Sequence, residues 1–322
     1  MRQTCLNMVY ELAKRDPRVL FIGSDLGVGT LQQFKEEMPE RFFMEGISEA
    51  NLLGMAAGLA LEGKIPYVNT IATFFARRAF EQIVVDLCLH KANVRLIANG
   101  GGLVYAPLGP THEMIEDLAI LRAIPNMTVV SPADAQEMRR LMLQSVDYPG
   151  PIYIRLAKGN DPIVTREELG FRIGKAIPMR QGTDALIVTT GITLRHGLEA
   201  ADRLAPQGIQ AGVLHVPTIK PLDRDAILDA LSGAKAVVTV EEHTVVGGLG
   251  SAVAELIAEA GMSPARRLKR IGIPDCFPEE YGSQASLMER FGITTEALIA
   301  AVAELLEGTR ARPAQRMEAL RS

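Results

Sequence analysis

The sequence predicts an α/β protein made of two doubly wound domains. Three observations carry that expectation: a chain long enough for two domains, short apolar strand-like runs alternating with helical segments, and one polar, Gly/Pro-punctuated break in the alternation. The 322 residues exceed one ordinary domain and suit two of about 150 residues each. Hydrophobic residues make up 48% and charged residues 22%, with a formal net charge of -4, which suits a soluble globular chain and argues against an electrostatic nucleic-acid binder. Cys5, Cys88 and Cys276 form no C-x-x-C pair, so neither a disulfide framework nor a zinc ribbon is expected, and a reducing, cytoplasmic setting fits. The N-terminal segment leads into an amphipathic helix without an apolar signal core, and no later run reaches the ~20 apolar residues of a membrane span. No membrane or nucleic-acid partner is therefore expected.

In chain order, the strand-like runs are Arg18 to Gly23, Ile65 to Asn69, Val94 to Ala98, Met127 to Val130 and Pro151 to Arg155. Helical patterns between them give the βαβ rhythm of a mostly parallel sheet covered on both faces, which assigns a first domain to residues 1–160. The segment 161–182, introduced by Lys158-Gly159-Asn160-Asp161-Pro162, reads as a linker. Ala185 to Thr189, Ala211 to Val216 and Ala236 to Val240, each followed by a helical segment, then build a smaller α/β domain over 183–306. The Arg-rich stretch 307–322 is a weakly patterned tail, either frayed or a short helix against a partner.

The most informative stretch runs from Met44 to Gly58. Ser48 is placed as an N-cap, and Glu49 falls in the first turn of a helix whose Gly54, Ala57 and Gly58 permit close packing. A carboxylate there either answers the helix dipole or is positioned for acid/base work out of water. After the second strand, Thr73 to Gln82 brings Phe74, Phe75, Phe80, Arg77 and Arg78 together, at the kind of strand end where α/β domains keep ligands. Its aromatics either stack on a flat ligand or fill the core. The long glycine-rich segment from Asn99 to Glu113 reads as a functional loop that ends in His112, an imidazole able to relay protons near neutrality or to cap a helix start. His90, His196, His215 and His243 have no metal-ligand spacing. Gly23 to Gly29 and Gly247 to Gly250 lack the spacing of a nucleotide-binding loop.

Taken together, Ile47-Ser48-Glu49-Ala50-Asn51, Thr73-Phe74-Phe75 with Arg78-Ala79-Phe80, Gly109-Pro110-Thr111-His112 with Glu116-Asp117-Leu118-Ala119, and Leu121-Arg122-Ala123-Ile124-Pro125-Asn126 resemble the C-terminal half of the transketolase family. Thr218-Ile219-Lys220-Pro221-Leu222-Asp223, Val240-Glu241-Glu242-His243 and Gly247-Gly248-Leu249-Gly250 extend the likeness over nearly the whole chain. The resemblance implies a pyrimidine-binding domain for thiamine diphosphate followed by a transketolase C-terminal domain. By that resemblance, Glu49 bonds the cofactor pyrimidine and promotes its activation. Phe75, Ile47 and Arg78 line the pyrimidine, His112 contacts substrate hydroxyls, and Arg2 and Arg155 occupy positions that hold phosphate.

The resemblance also implies what this chain does not carry. The Gly-Asp-Gly motif and downstream Asn that hold magnesium against the diphosphate are not found, so no metal ligand is expected here and the ion is expected on a partner. The chain thus looks like one subunit of a split transketolase, paired with a diphosphate-binding subunit in an α2β2 heterotetramer. Leu108 stands where an Asp is typical, and Gly100 where a phosphate-binding His is common, so an unusual sugar donor or acceptor is expected. The rival readings are a 2-oxo-acid dehydrogenase beta subunit, a decarboxylating relative of deoxyxylulose-phosphate synthase, and a non-catalytic scaffold.

Overall fold

A computed structural model describes residues 1–25, 29–157, 159–264 and 266–318, with side chains beyond Glu307 not described. The central part of the glycine motif at 23–29, Lys158 of the linker motif and the last residues of the tail lie outside the described residues. The chain folds around two sheets. The first contains β1 (Val19–Gly23), β2 (Phe42–Met44), β3 (Ile65–Ile71), β4 (Arg95–Asn99), β5 (Thr128–Val130) and β6 (Ile152–Leu156); the second contains β7 (Ile177–Arg180), β8 (Ala185–Thr189) and β9 (Ala211–His215), followed after an excursion by β11 (Ala236–Thr244) and β12 (Arg267–Ile273). The excursion is β10 (Thr218–Lys220), which leaves the second sheet and pairs antiparallel with β5 of the first. The resulting orders are β10-β5-β6-β4-β3-β1-β2 and β12-β11-β8-β9-β7.

All pairings within the first sheet other than that of β10 are parallel, and β1, β4 and β6 are buried at every residue. Strands covered by helices on both faces need apolar side chains in both directions, which explains their near-continuous hydrophobic runs. One core layer joins Leu52, Leu53, Ala56, Phe75, Ile83 and Leu118 on one face of this sheet. Another places Leu6, Val9, Phe34, Met138 and Leu141 on the opposite face. The two α/β units agree with the expected fold class.

The segment expected as a linker contributes an ordered element: β7 lies within it and pairs antiparallel with β9. Pro178 is tolerated there because β7 is an edge strand, where a missing N–H breaks no ladder. Asp134 fastens the same segment. Its carboxylate caps the Ala135–Ser145 helix through Gln136 N and Glu137 N, while also accepting from Val164 N, Thr165 N and Thr165 Oγ1. The stretch expected as a tail continues the last helix, Thr295–Glu318. Among the described residues, no helix is long and apolar enough to cross a membrane.

The chain passes from β1 to β2 on one side and then to β3 on the other. The crevice between the carboxyl ends of β1 and β3 is therefore the topological switch point, where open parallel sheets bind ligands.

Candidate functional site

Four segments meet at that crevice: Ser24-Asp25 after β1, Glu45 to Glu49 after β2, Ala72 to Arg78 after β3, and Gly100 to His112 after β4. Glu49 is the first residue of the Glu49–Leu61 helix and is 4% exposed. Its Oε1 is buried with no hydrogen-bond partner among the described residues. Its Oε2 lies 3.6 Å from Arg78 Nη1, an ion-pair distance too long for a hydrogen bond. Ser48 occupies the N-cap position without capping: its hydroxyl donates to the Glu45 carbonyl at 3.1 Å. Gly54 and Gly58 have open space where a Cβ would stand, so the close packing expected of them is not made within this chain. Ile47, just ahead of Glu49, is 68% exposed.

After β3 the chain widens into a π-helical turn, Phe74–Arg78, a local geometry frequent at functional sites. That turn brings the Arg78 guanidinium over the Phe74 ring, 3.7 Å from its centroid, a cation–π contact that holds the charge beside Glu49. Phe74 in turn meets His112 edge to face at 5.4 Å. Phe75 points the other way and is fully buried in the core with Leu53, Ile83 and Leu118. The stacking face expected at Phe75 is thus closed in this structure, whereas Phe80 is partly exposed.

The loop that carries His112 is clamped. Thr73 Oγ1 donates to the His112 carbonyl at 2.9 Å. Arg77 reaches the carbonyls of Pro110 and Glu113, both at 3.2 Å, and pairs with Glu116 at 2.5 Å. The His112 ring keeps Nδ1 against Thr111 Oγ1 at 2.9 Å. Behind it, burial pushes the Glu113 carboxyl up to about 7, and neither of its oxygens has a partner among the described residues. Tyr105 completes the row, 6.4 Å from the His112 ring. Its phenol is pushed above its ordinary pKa by burial and by Asp25, while nearby Arg2 opposes the shift. Glu49, Arg78, His112 and Arg2 are therefore linked side chain to side chain through Phe74 and Tyr105.

Arg155 is not part of this row. Its guanidinium is 6% exposed, with Nε 2.8 Å from Asp117 Oδ2 and Nη2 bonded to Asp117 Oδ1, the Met114 carbonyl and the Glu242 carbonyl. Burial works against its charge, and Asp117 outweighs that to raise its pKa. These bonds place Arg155 in the seam between the two units, with its guanidinium engaged by Asp117 and by two backbone carbonyls. Leu108 is about half exposed on the loop. A separate cavity of about 180 Å³, lined in part by Asn160, Asp161, Arg195 and Gln284, contains none of the expected site residues. Among the described residues, no cluster of three His, Cys, Asp or Glu could hold a metal ion.

The sequence did not single out Thr73, Arg77 or Tyr105 individually, because their roles depend on how the loop after β4 folds back over the turn after β3. The glycines at 100 to 102 were the available signal, since they let that loop approach closely. The second unit's Gly247 to Gly250 also acquires a role that spacing could not show. Glu241 accepts from Leu249 N at 2.7 Å and Gly250 N at 2.8 Å, capping the Leu249–Glu259 helix. A Cβ on Gly248 would lie 2.1 Å from Glu241 Oε2.

The switch-point crevice is thus lined by an under-satisfied carboxylate, a guanidinium and an imidazole, at the place where open α/β sheets bind ligands. Comparison with known proteins makes the class specific. The transketolase pyrimidine-binding domain matches residues 1–162, and the transketolase C-terminal domain matches residues 174–298. The chain belongs to the transketolase family. It is 38% identical over 308 residues to the 6-deoxy-6-sulfo-D-fructose transketolase subunit SqwH of Clostridium sp. (strain MSTE9), covering 95% of this chain and 94% of that one. It is 35% identical over 308 residues to a subunit of the apulose-4-phosphate transketolase of Phocaeicola vulgatus, covering 95% and 97%. A solved split-gene transketolase, described as an inactive beta4 tetramer, superposes with a TM-score of 0.87 at 39% identity, covering 95% of this chain and 98% of that one.

Proposed function

We propose that this chain is the pyrimidine-binding subunit of a split, thiamine-diphosphate-dependent transketolase, which transfers a two-carbon ketol unit from a ketose or ketose phosphate to an aldehyde. The observation that carries the proposal is Glu49: a nearly buried carboxylate with one oxygen unsatisfied, at the switch point of a parallel sheet. Burying such a group without a partner costs about 1–3 kcal/mol or more, and a ligand nitrogen placed there would recover that cost. Thiamine diphosphate supplies the carbanion chemistry of such enzymes when bound.

Glu49, in the first turn of its helix, offers the unpartnered Oε1 to a ligand nitrogen. Arg78 keeps positive charge beside Oε2 while remaining half exposed. Ile47 offers apolar surface at the mouth of the crevice, and Phe75 stacks on the pyrimidine only if the turn that buries it in the core opens. His112 is aimed across the Phe74 ring toward the same space, where its imidazole hydrogen-bonds a sugar hydroxyl. Arg2 stands at the far end of the row for an anionic group.

The diphosphate and its magnesium belong on a second polypeptide in this reading, in an α2β2 assembly. The relatives that this chain matches end to end are named as subunits or as a split-gene protein, and its exposed Gly54, Gly58 and Leu61 leave a helix face open to another chain. Residues 1–160 and 183–306 are the proposed domains, with 161–182 between them and 307–322 as the tail. The free cysteines Cys5, Cys88 and Cys276 suit a cytoplasmic setting. The test is co-expression with a candidate diphosphate-binding subunit, followed by assay of ketol transfer from a panel of ketoses. Carbon dioxide release from 2-oxo acids without ketol transfer would contradict the proposal and assign the chain to the decarboxylating branch.

A further inference from the structure

One wall of the crevice is built by a residue to which the reading above gives no task. Tyr105 is half-buried, and its ring lies against the backbone of Gly100: a Cβ added there would stand 2.0 Å from Tyr105 Cε2 and 2.3 Å from Cδ2. Gly100 also has a φ of +77°, where a side chain is disfavoured in any case. A ring at 105 and a side chain at 100 therefore exclude one another. The space over Gly100 is filled by the phenol from five residues further along. That phenol faces the row at one end through His112 and at the other through Arg2.

An imidazole on this wall would titrate near neutrality. The Tyr105 hydroxyl stays protonated and offers one donor and acceptor oxygen, set between the charges of Arg2 and Asp25. We propose that Tyr105 is a specificity-determining residue: by filling the space over Gly100, it turns the distal end of a sugar held at His112 toward its own hydroxyl and Arg2, and so decides which ketoses are accepted. This inference rests on the transketolase reading.

The experiment uses the complex of this chain with its diphosphate-binding subunit, comparing wild type, Tyr105→Val and Tyr105→Phe. Thiamine diphosphate affinity is measured first by calorimetry, then kcat/KM for ketoses whose distal group is a free hydroxyl, a phosphate or a sulfonate. Tyr105→Val is expected to bind the cofactor as wild type does and to shift the ratio of kcat/KM between the best and worst ketose by about tenfold or more, the range that a reshaped pocket delivers. Tyr105→Phe keeps the packing, and is expected to raise KM for the preferred ketose with little change in kcat.

Stability of the isolated chain gives an independent readout. Gly100→Ala is expected to be less destabilising in the Tyr105→Val background than in wild type, because the clash is relieved. Unchanged ketose ratios in a Tyr105→Val complex that binds cofactor would overturn the inference, as would equal destabilisation by Gly100→Ala in both backgrounds. A wild-type complex that takes up no cofactor would instead remove the transketolase reading itself, so the two failures are told apart.

Discussion

Two buried carboxylates of the first unit, Asp117 and Glu49, have opposite surroundings. Asp117 is fully buried, and both of its oxygens are engaged: Arg155 reaches each of them, and the Tyr153 hydroxyl donates to Oδ2 at 2.9 Å. Glu49 is almost as deeply placed, yet one oxygen has no partner among the described residues and the other has only Arg78 at 3.6 Å. The arginines differ in the same way. Arg155 is sealed between the units, whereas the Arg78 side chain is 50% exposed over an aromatic ring. A carboxylate whose desolvation is answered by its own chain fastens the fold. One left short of partners at the mouth of a parallel sheet is poised for something from outside.

The contrast can be broken most sharply at Glu49. Glu49→Gln keeps the shape and removes the proton acceptor, so ketol transfer by the assembled enzyme should fall by about 10²–10⁴-fold, the usual weight of a general acid/base group, while the denaturation midpoint of the chain stays near wild type. A scaffold role would show the reverse, with activity retained. Asp117→Asn attacks the other member of the pair. Removing the counter-charge leaves Arg155 buried and unpaired, and chemical denaturation should register a loss of about 3–5 kcal/mol. Tyr153→Phe deletes one hydrogen bond to the same carboxylate and is expected to cost about 1.5–3 kcal/mol by the same measurement, with thiamine diphosphate binding unchanged.

The smallest expected effect concerns pH. Burial, with a smaller contribution from Asp117, pushes the Glu242 carboxyl up to about 7 against the opposing influence of Arg155, Gln284 and the Leu103 N–H. Its unfolded value is about 4.3, so between those limits the folded chain binds more protons than the unfolded chain. Stability should therefore decline as pH rises through that window and level off above it. Glu113, raised to about 7 by burial, contributes in the same direction. Denaturation of Glu242→Gln from pH 4 to 8 should show a shallower decline than wild type. A slope identical to wild type would mean that Glu242 is not held protonated in the seam.

The parallel strands were legible where both faces are covered. Runs such as Ile152 to Leu156 are apolar or paired at every residue. Strand β12 escaped notice because Arg267, Lys269 and Arg270 interrupt it at the sheet edge. Strand β10 is three residues long and owes its place to a partner strand in the other unit, a tertiary cause that local pattern cannot express.

The site divides the same way. Glu49, Arg78 and His112 were legible because each sits at the end of a recognisable element. The burial of Phe75 and the exposure of Phe74 depend on a π-helical turn that shifts the angular position of each side chain. The pairing of Arg155 with Asp117 was not legible, because a strand-end arginine looks the same in sequence whether it faces a ligand or a carboxylate.

The central claim is that the open carboxylate of Glu49 belongs to a cofactor site completed by another polypeptide. Calorimetric titration of thiamine diphosphate with magnesium, into this chain alone and into the chain mixed with its diphosphate-binding partner, tests that claim most directly. The account predicts binding heat only in the mixture, weakened there by Glu49→Gln. Tight binding to the isolated chain, or binding in the mixture that is indifferent to Glu49→Gln, would contradict it.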